Sequence, residues 1–406
     1  THHFTGCVNI LLRITDTVYG IELHSMKLHL HNATLTNNKS LKEIKSIQID
    51  HDINRETIKL FNGIRIGPID AATLKICYNG TATSSMGGLM ESLSRTEEGN
   101  RVSLIANTAE PTGARHWFPC FDQPNFKATF RLQVNHPSSL NVYSNSKLMT
   151  TSEAGNNRNK SLFKITPILP PYLIGLAVND LTVHYGKYKD HNIRAMGPFS
   201  SNLSEIVAKC LERLWKDEIL EGIPYLAEKT DIIVVEDIMN AFEMPGLIII
   251  CPEEALNPNI IMHELAHMYF GNLVSINSFN EVWIKEGMAS LYEESEPIDH
   301  AMNFHLESLH DLPMQPQSNF FNSIVTTKYF HYPSHPYHKS VQLLRAIQRM
   351  YPEAFTKGCR DYLLNNLFGN GDMKSFVSSI ANRTSSPKVV EEILNSVVLK
   401  PGRPLL

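Results

Sequence analysis

The sequence predicts an α+β protein, with a β-rich part over residues 1–185 and a mixed, increasingly helical part over 186–406. Three observations carry this. Up to about residue 185, apolar residues run in short alternating or continuous stretches broken by Asn, Asp, Gly and Ser, as in strands and turns. Beyond it the spacing turns helical, first at 203–215, where Ile206, Cys210, Leu211 and Leu214 share a face. Between the helical stretches lie two continuous apolar runs, 232–235 and 247–251, each the length of a buried strand.

Taken in order, strands are expected at 7–14, 19–24, 26–30, 44–49, 57–61, 72–78, 101–106, 129–134 and 140–144, with a turn at 153–157. In the second part, helices are expected at 288–293, 341–350, 352–366, 372–380 and 389–398, and 402–406 reads as a linker. There is no internal repeat or low-complexity segment.

Composition narrows the function classes. The 406 residues suffice for two or three domains, and 42% hydrophobic with 19% charged residues is the balance of a globular protein. A net charge of -4 gives no reason to expect nucleic-acid binding. No apolar run approaches the roughly 18 residues of a membrane span. The N-terminus shows no signal peptide, so a targeting segment is expected to lie outside this chain or to have been removed. Sequons begin at Asn32, Asn38, Asn79, Asn159, Asn202 and Asn382, which favours the secretory pathway or an extracellular site, including the ectodomain of a membrane-anchored protein whose tether lies elsewhere. The six cysteines (Cys7, Cys77, Cys120, Cys210, Cys251, Cys359) form no C-x-x-C; they allow 15 pairings, and most are expected as buried thiols. Nothing in the sequence specifies an oligomeric state.

The chemistry concentrates in His263-Glu264-Leu265-Ala266-His267. Histidines four apart on a helix project from one face and can reach one metal ion, with Glu264 placed to work on a water beside it. A catalytic zinc site has three protein ligands and an open position. The third candidate, Glu286, follows His267 after eighteen residues in Trp283-Ile284-Lys285-Glu286-Gly287-Met288-Ala289-Ser290. One Zn2+ is therefore expected, on His263, His267 and Glu286. The histidines at 331, 335 and 338 lack carboxylate or cysteine company and read as surface residues.

Further motifs resemble the zinc aminopeptidases of the aminopeptidase N family, the gluzincins, over nearly the whole chain and in order. Glu110-Pro111-Thr112-Gly113-Ala114-Arg115-His116-Trp117-Phe118-Pro119-Cys120-Phe121-Asp122-Gln123-Pro124 is similar to the family's E-P-T-x-A-R-x-x-F-P-C-F-D-x-P. Ala241-Phe242-Glu243-Met244-Pro245 resembles G-A-M-E-N, and Tyr337-His338-Lys339-Ser340 resembles Y-x-K-G. The resemblance implies a β-saddle domain over 1–185 and a thermolysin-like metallopeptidase domain over 186–406, without the family's C-terminal domains. It implies a general base at Glu264, an oxyanion donor at Tyr337 and two carboxylates for a substrate's α-ammonium, Glu243 and Glu110. Ala241 and Thr108 would line the substrate site, and the partners would be peptides with a free N-terminus.

Four departures from the family pattern bear on activity. Met244 replaces the last residue of G-A-M-E-N and removes a polar group, while Asn240 replaces its glycine and is expected to crowd the backbone. Thr108 stands where glutamine is usual, and Lys285 puts a positive charge beside a zinc ligand. They leave an alternative open, a zinc-retaining but weakly active member serving as a peptide-binding or cell-surface interaction module. A thermolysin-type endopeptidase is a third reading, weakened by the paired amine-binding glutamates.

Overall fold

The computed structural model describes residues 2–45, 48–293 and 335–399. The chain opens with β1 (His3–Ile14), β2 (Ile21–His24), β3 (His29–Asn37), β4 (Glu43–Lys45), β5 (Ile49–Asp52), β6 (Thr57–Leu60), β7 (Ile69–Thr81), β8 (Gly88–Arg95) and β9 (Arg101–Thr108). Strands β1, β7, β3 and β4 form one antiparallel sheet in that order, and β2, β6 and β5 a second. Along β1 the alternation is strict: Val8, Ile10, Leu12 and Ile14 turn toward the core while Cys7, Asn9 and Leu11 face out. Cys7 pairs in register with Cys77 of β7, and the two form a disulfide. The other four cysteines are free and buried.

Next come β10 (Gln133–Pro137), β11 (Asn141–Ser144), β12 (Leu148–Glu153), β13 (Arg158–Phe163) and β14 (Leu176–Asn179). Here β10-β13-β12 and β11-β14-β9-β8 are separate sheets. The N-terminal part is thus β-rich, as expected, and the remainder is mixed and then helical.

A five-stranded sheet follows, of β15 (Val183–Tyr188), β16 (His191–Met196), β17 (Lys229–Val234), β18 (Ala241–Phe242) and β19 (Leu247–Ile250), in the order β15-β16-β17-β19-β18. Strands β16, β17 and β19 run parallel, and β18 is an antiparallel edge. The helices are α1 (Ser200–Leu214), α2 (Pro258–Ala266), α3 (Val282–Leu291), α4 (His335–Met350), α5 (Pro352–Asn365), α6 (Met373–Ala381) and α7 (Pro387–Leu399). One short parallel bridge, β20 (Ser275–Ile276) with β21 (Asn370–Gly371), ties the loop after α2 to the end of α5.

Some elements depart from the expectation. The strand expected at 26–30 is displaced to β3 because Lys27 adopts φ 58 and breaks the chain there. The two ends of the strand expected at 44–49 belong to different sheets, β4 beside β3 and β5 beside β6, and residues 46–47 lie outside the described residues. Helix α3 begins at Val282, six residues before the expected start, since it is buried all round and carries Gly287 inside it. Helix α4 likewise starts before 341, with Pro336 in its first turn, where the missing N–H costs nothing.

A single apolar core joins the two parts of the chain, from Leu35, Ile58 and Leu74 through Trp117, Phe118 and Tyr172 to Leu211, Leu265, Trp283, Leu344 and Phe376. A second core lies between the β8-β9-β14-β11 sheet and the five-stranded sheet, with Met90, Ala106, Met196, Ile233 and Ile249 in it. No helix among the described residues is long and apolar enough to cross a membrane.

Candidate active site

Helix α2 is a core helix with a firm start. Asn257 caps it by accepting from the Asn259 N–H, and Pro258 occupies the first turn. Ile261, Met262, Leu265 and Ala266 are buried on either side of the His263–His267 pair, so the two imidazoles cannot swing to solvent. Helix α3 begins behind a capping box between Ser278 and Glu281. It lays Glu286 across the two rings: the Glu286 Oε2 is 3.2 Å from the Nε2 of His263 and 3.4 Å from the Nε2 of His267.

These distances test the fit of a metal. Ligand atoms at about 2.0–2.1 Å around a tetrahedral ion lie roughly 3.3–3.4 Å apart, the separation that Glu286 makes with both rings. The other nitrogen of each ring is engaged: His263 Nδ1 donates to Glu293 Oε1 at 2.8 Å and His267 Nδ1 to the Phe270 carbonyl at 3.0 Å. Each imidazole therefore presents Nε2 inward, the tautomer a ligand needs. Two nitrogens and a carboxylate oxygen, all buried, suit zinc.

Around this centre stand the other expected residues. Glu264 is buried, and burial first, then the Glu243 and Glu286 charges, push its carboxyl up to about 8. Glu243 follows edge strand β18, its carbonyl held by the Asn272 amide at 2.7 Å. Glu110 comes from the turn after β9 in the N-terminal part. Tyr337 lies in the first turn of α4, its ring stacked at 6.2 Å from that of His263. Gly287 makes that approach possible, since a Cβ there would sit 2.7 Å from the Ser340 side chain of α4. Burial, then the Glu286 charge, raise the Tyr337 phenol well above its ordinary range.

Ala241 sits on β18, half-buried and paired with Ile250, while Thr108 ends β9 with its hydroxyl accepting from the Gly87 N–H at 2.9 Å. Asn240 does not crowd the chain as expected. It is exposed at φ 57, a left-handed conformation that asparagine adopts at small cost. Met244 is only 2% exposed and has joined the second core, against Gly175 and near Leu247. Among the expected surface histidines, His331 and the side chain of His335 lie outside the described residues, and His338 is half-buried.

Two residues gain a role that sequence reasoning missed or left undirected. Glu293, the partner of His263, follows Glu286 by seven residues, two helical turns, and that spacing was the available signal. Lys285 is 1% exposed, and its ammonium lies 2.6 Å from Glu110 Oε1, in contact with Glu243 Oε1 and 3.3 Å from Glu286 Oε1. With one ammonium between two carboxylates, the pair splits. Burial lifts both, but Lys285 and then His267 hold Glu243 down at about 2, whereas burial and the Glu243 charge leave Glu110 well above the usual range.

Comparison with known proteins places both parts of the chain in one family. Residues 1–173 match the model of the peptidase M1 N-terminal domain and residues 205–397 that of the peptidase family M1 domain. The chain is 30% identical to aminopeptidase Q of Acinonyx jubatus over 331 residues, 72% of this chain and 32% of the relative. It is 28% identical to aminopeptidase Q of Homo sapiens over 71% of this chain and 32% of the relative. With glutamyl aminopeptidase of Rattus norvegicus it shares 29% identity over 82% of this chain and 38% of the relative. The chain thus spans about a third of the length of the curated relatives it matches. With its β-rich N-terminal part and its mixed, then helical remainder each matched to a domain of the same family, the chain belongs to peptidase family M1.

Proposed function

We propose that the chain is a zinc-dependent aminopeptidase that removes N-terminal residues from peptides, with residues 1–185 as a β-saddle domain and 186–406 as a thermolysin-like catalytic domain. The observation that carries the reading is the Glu286 carboxylate at 3.2 and 3.4 Å from two Nε2 atoms whose rings are anchored through Nδ1. His263, His267 and Glu286 would hold one zinc ion. Zinc bound there would supply Lewis acidity, making a water acidic near neutral pH and polarising the scissile carbonyl.

The chain's own groups do the rest. Glu264, buried beside the metal-binding helix face, would take a proton from the attacking water and return it to the departing amine, and its burial favours holding that proton between the two transfers. The Tyr337 phenol, kept protonated by burial, donates to the carbonyl oxygen as negative charge develops on it. Glu110 and Glu243 give the site its direction by offering carboxylates to a free α-ammonium, while edge strand β18 leaves Ala241 beside the substrate path.

Peptides with free N-termini are therefore the partners. The Cys7–Cys77 disulfide and the six sequons support an extracellular or secretory-pathway location. Asn32, Asn38, Asn202 and Asn382 are exposed, as a glycan requires.

The test is hydrolysis of aminoacyl-arylamides by zinc-replete protein. Activity should vanish with a chelator and return with zinc, and Glu264→Gln should lower kcat about 100- to 10,000-fold. Activity indifferent to both treatments would refute the reading. The buried Met244 and the caged Lys285 favour one alternative, a weakly active member that binds peptides. Tight peptide binding with negligible turnover by the zinc-replete protein would select it.

A further inference from the structure

The Lys285 side chain ends inside the pair of carboxylates on which the direction of the proposed aminopeptidase rests. Its ammonium is 2.6 and 2.8 Å from the two oxygens of Glu110 and in contact with Glu243. The Tyr172 ring closes the cage from another side, its centroid 5.8 Å from the Lys285 nitrogen. Two carboxylates and an aromatic face are what a primary ammonium seeks, and a peptide's N-terminus is a primary ammonium too. The stem is accommodated as well as the head. Gly271, at φ 117, leaves room for Lys285 Cδ, which a Cβ there would meet at 3.3 Å. Lys285 is thus not a surface charge folded inward by accident of rotamer, because Glu110 from the turn after β9, Glu243 just past β18 and Glu286 on its own helix all converge on it.

We propose that Lys285 is an internal occupant of the amine-recognition subsite, so that a substrate's α-ammonium must displace it from Glu110 and Glu243 in order to bind. The proposal rests on the reading of Glu110 and Glu243 as the amine-binding pair. Its consequence is a changed substrate requirement. With the pair already neutralised from within, a free N-terminus brings less advantage over a blocked one than two unoccupied carboxylates would give it.

The experiment compares trialanine with N-acetyl-trialanine by isothermal titration calorimetry. The protein is zinc-loaded and carries Glu264→Gln to prevent turnover. With Lys285 present, the two peptides should bind within about threefold of each other. Lys285→Asn should tighten trialanine at least tenfold and leave N-acetyl-trialanine within twofold. Lys285→Met keeps the apolar stem and removes only the charge, so it gives the same readout if the shorter asparagine disturbs folding; zinc content and Tm are measured for both.

Unchanged or weaker trialanine binding in the folded variants would overturn the proposal, as would a hundredfold preference for the free amine while Lys285 is in place. Hydrolysis of alanyl-arylamide by the same variants with Glu264 restored separates this inference from the reading beneath it. Tighter trialanine binding without hydrolysis upholds the occupied subsite and removes the aminopeptidase. Hydrolysis with a strong free-amine preference and no response to Lys285→Met does the reverse.

Discussion

A metal-ligating imidazole is only as well placed as the acceptor on its far side. His263 donates to Glu293 at 2.8 Å, and that carboxylate both fixes the ring and raises its basicity toward a cation. Glu293→Ala should therefore lower zinc affinity about 10- to 100-fold, measured by competition with a chromophoric chelator, with Glu293→Gln in between. Equal affinity in all three proteins would show that Glu293 does not support the ring as a ligand. The proposed ligands could be named from the sequence because their spacing is local: four residues on one helix, then eighteen to the next. Lys285 was legible only as an unexpected charge. Its partners come from positions 110 and 243, and nothing in a linear sequence says that two such distant carboxylates close on the same ammonium. Met244 shows the same limit from the other side. Its apolar character was plain, but that it had left the substrate wall for a core beside Gly175 required the fold.

At the scale of elements, long alternating strands and the continuous apolar runs of β17 and β19 were the easiest to read, and an exposed strand and a helix buried all round the hardest. Strand β1 announces itself through Val8, Ile10 and Leu12, whereas β12 is exposed along its whole length and offers no alternation. Helix α3 has the opposite difficulty, since burial on all faces erases the 3.6-residue period that marks a helix. The β1–β7 pair also carries the disulfide, between strands already in register at Cys7 and Cys77 and 70 residues apart in sequence. Closing a loop of that length restricts the unfolded chain most, and such bridges contribute about 2–4 kcal/mol. The double variant Cys7→Ser, Cys77→Ser should lose that much stability in urea unfolding while keeping its zinc content. Because the bridge lies on the β1–β7 pair rather than among the proposed zinc ligands, a loss of metal binding in the folded variant would contradict this placement.

Across the whole molecule, both parts of the chain fold onto one core, so the site inherits the stability of contacts far from it. Three imidazoles are built into those contacts. His24 on β2 accepts from the Asp122 N–H, His191 on β16 bonds to Thr230 on β17, and His116 lies beside the E-P-T-x-A-R segment. Burial first, and then nearby cationic side chains, hold His24 down at about 3 and both His116 and His191 at about 4. The sign follows from linkage. Above the unfolded value of about 6.5 neither state is protonated, and these residues cost nothing. Between there and about 4 the unfolded chain binds a proton at each that the folded chain refuses, so stability falls as pH falls. At pH 5 each imidazole accounts for about 2 kcal/mol, a large share of the 5–15 kcal/mol of a typical domain. Urea unfolding at pH 7.5 and pH 5 should therefore show the parent losing about 2 kcal/mol more over that interval than His24→Gln or His191→Gln does. The comparison between proteins cancels the titration of the site's own carboxylates and histidines, which are common to all of them. Parallel losses in parent and variants would mean that these rings already carry a proton in the fold.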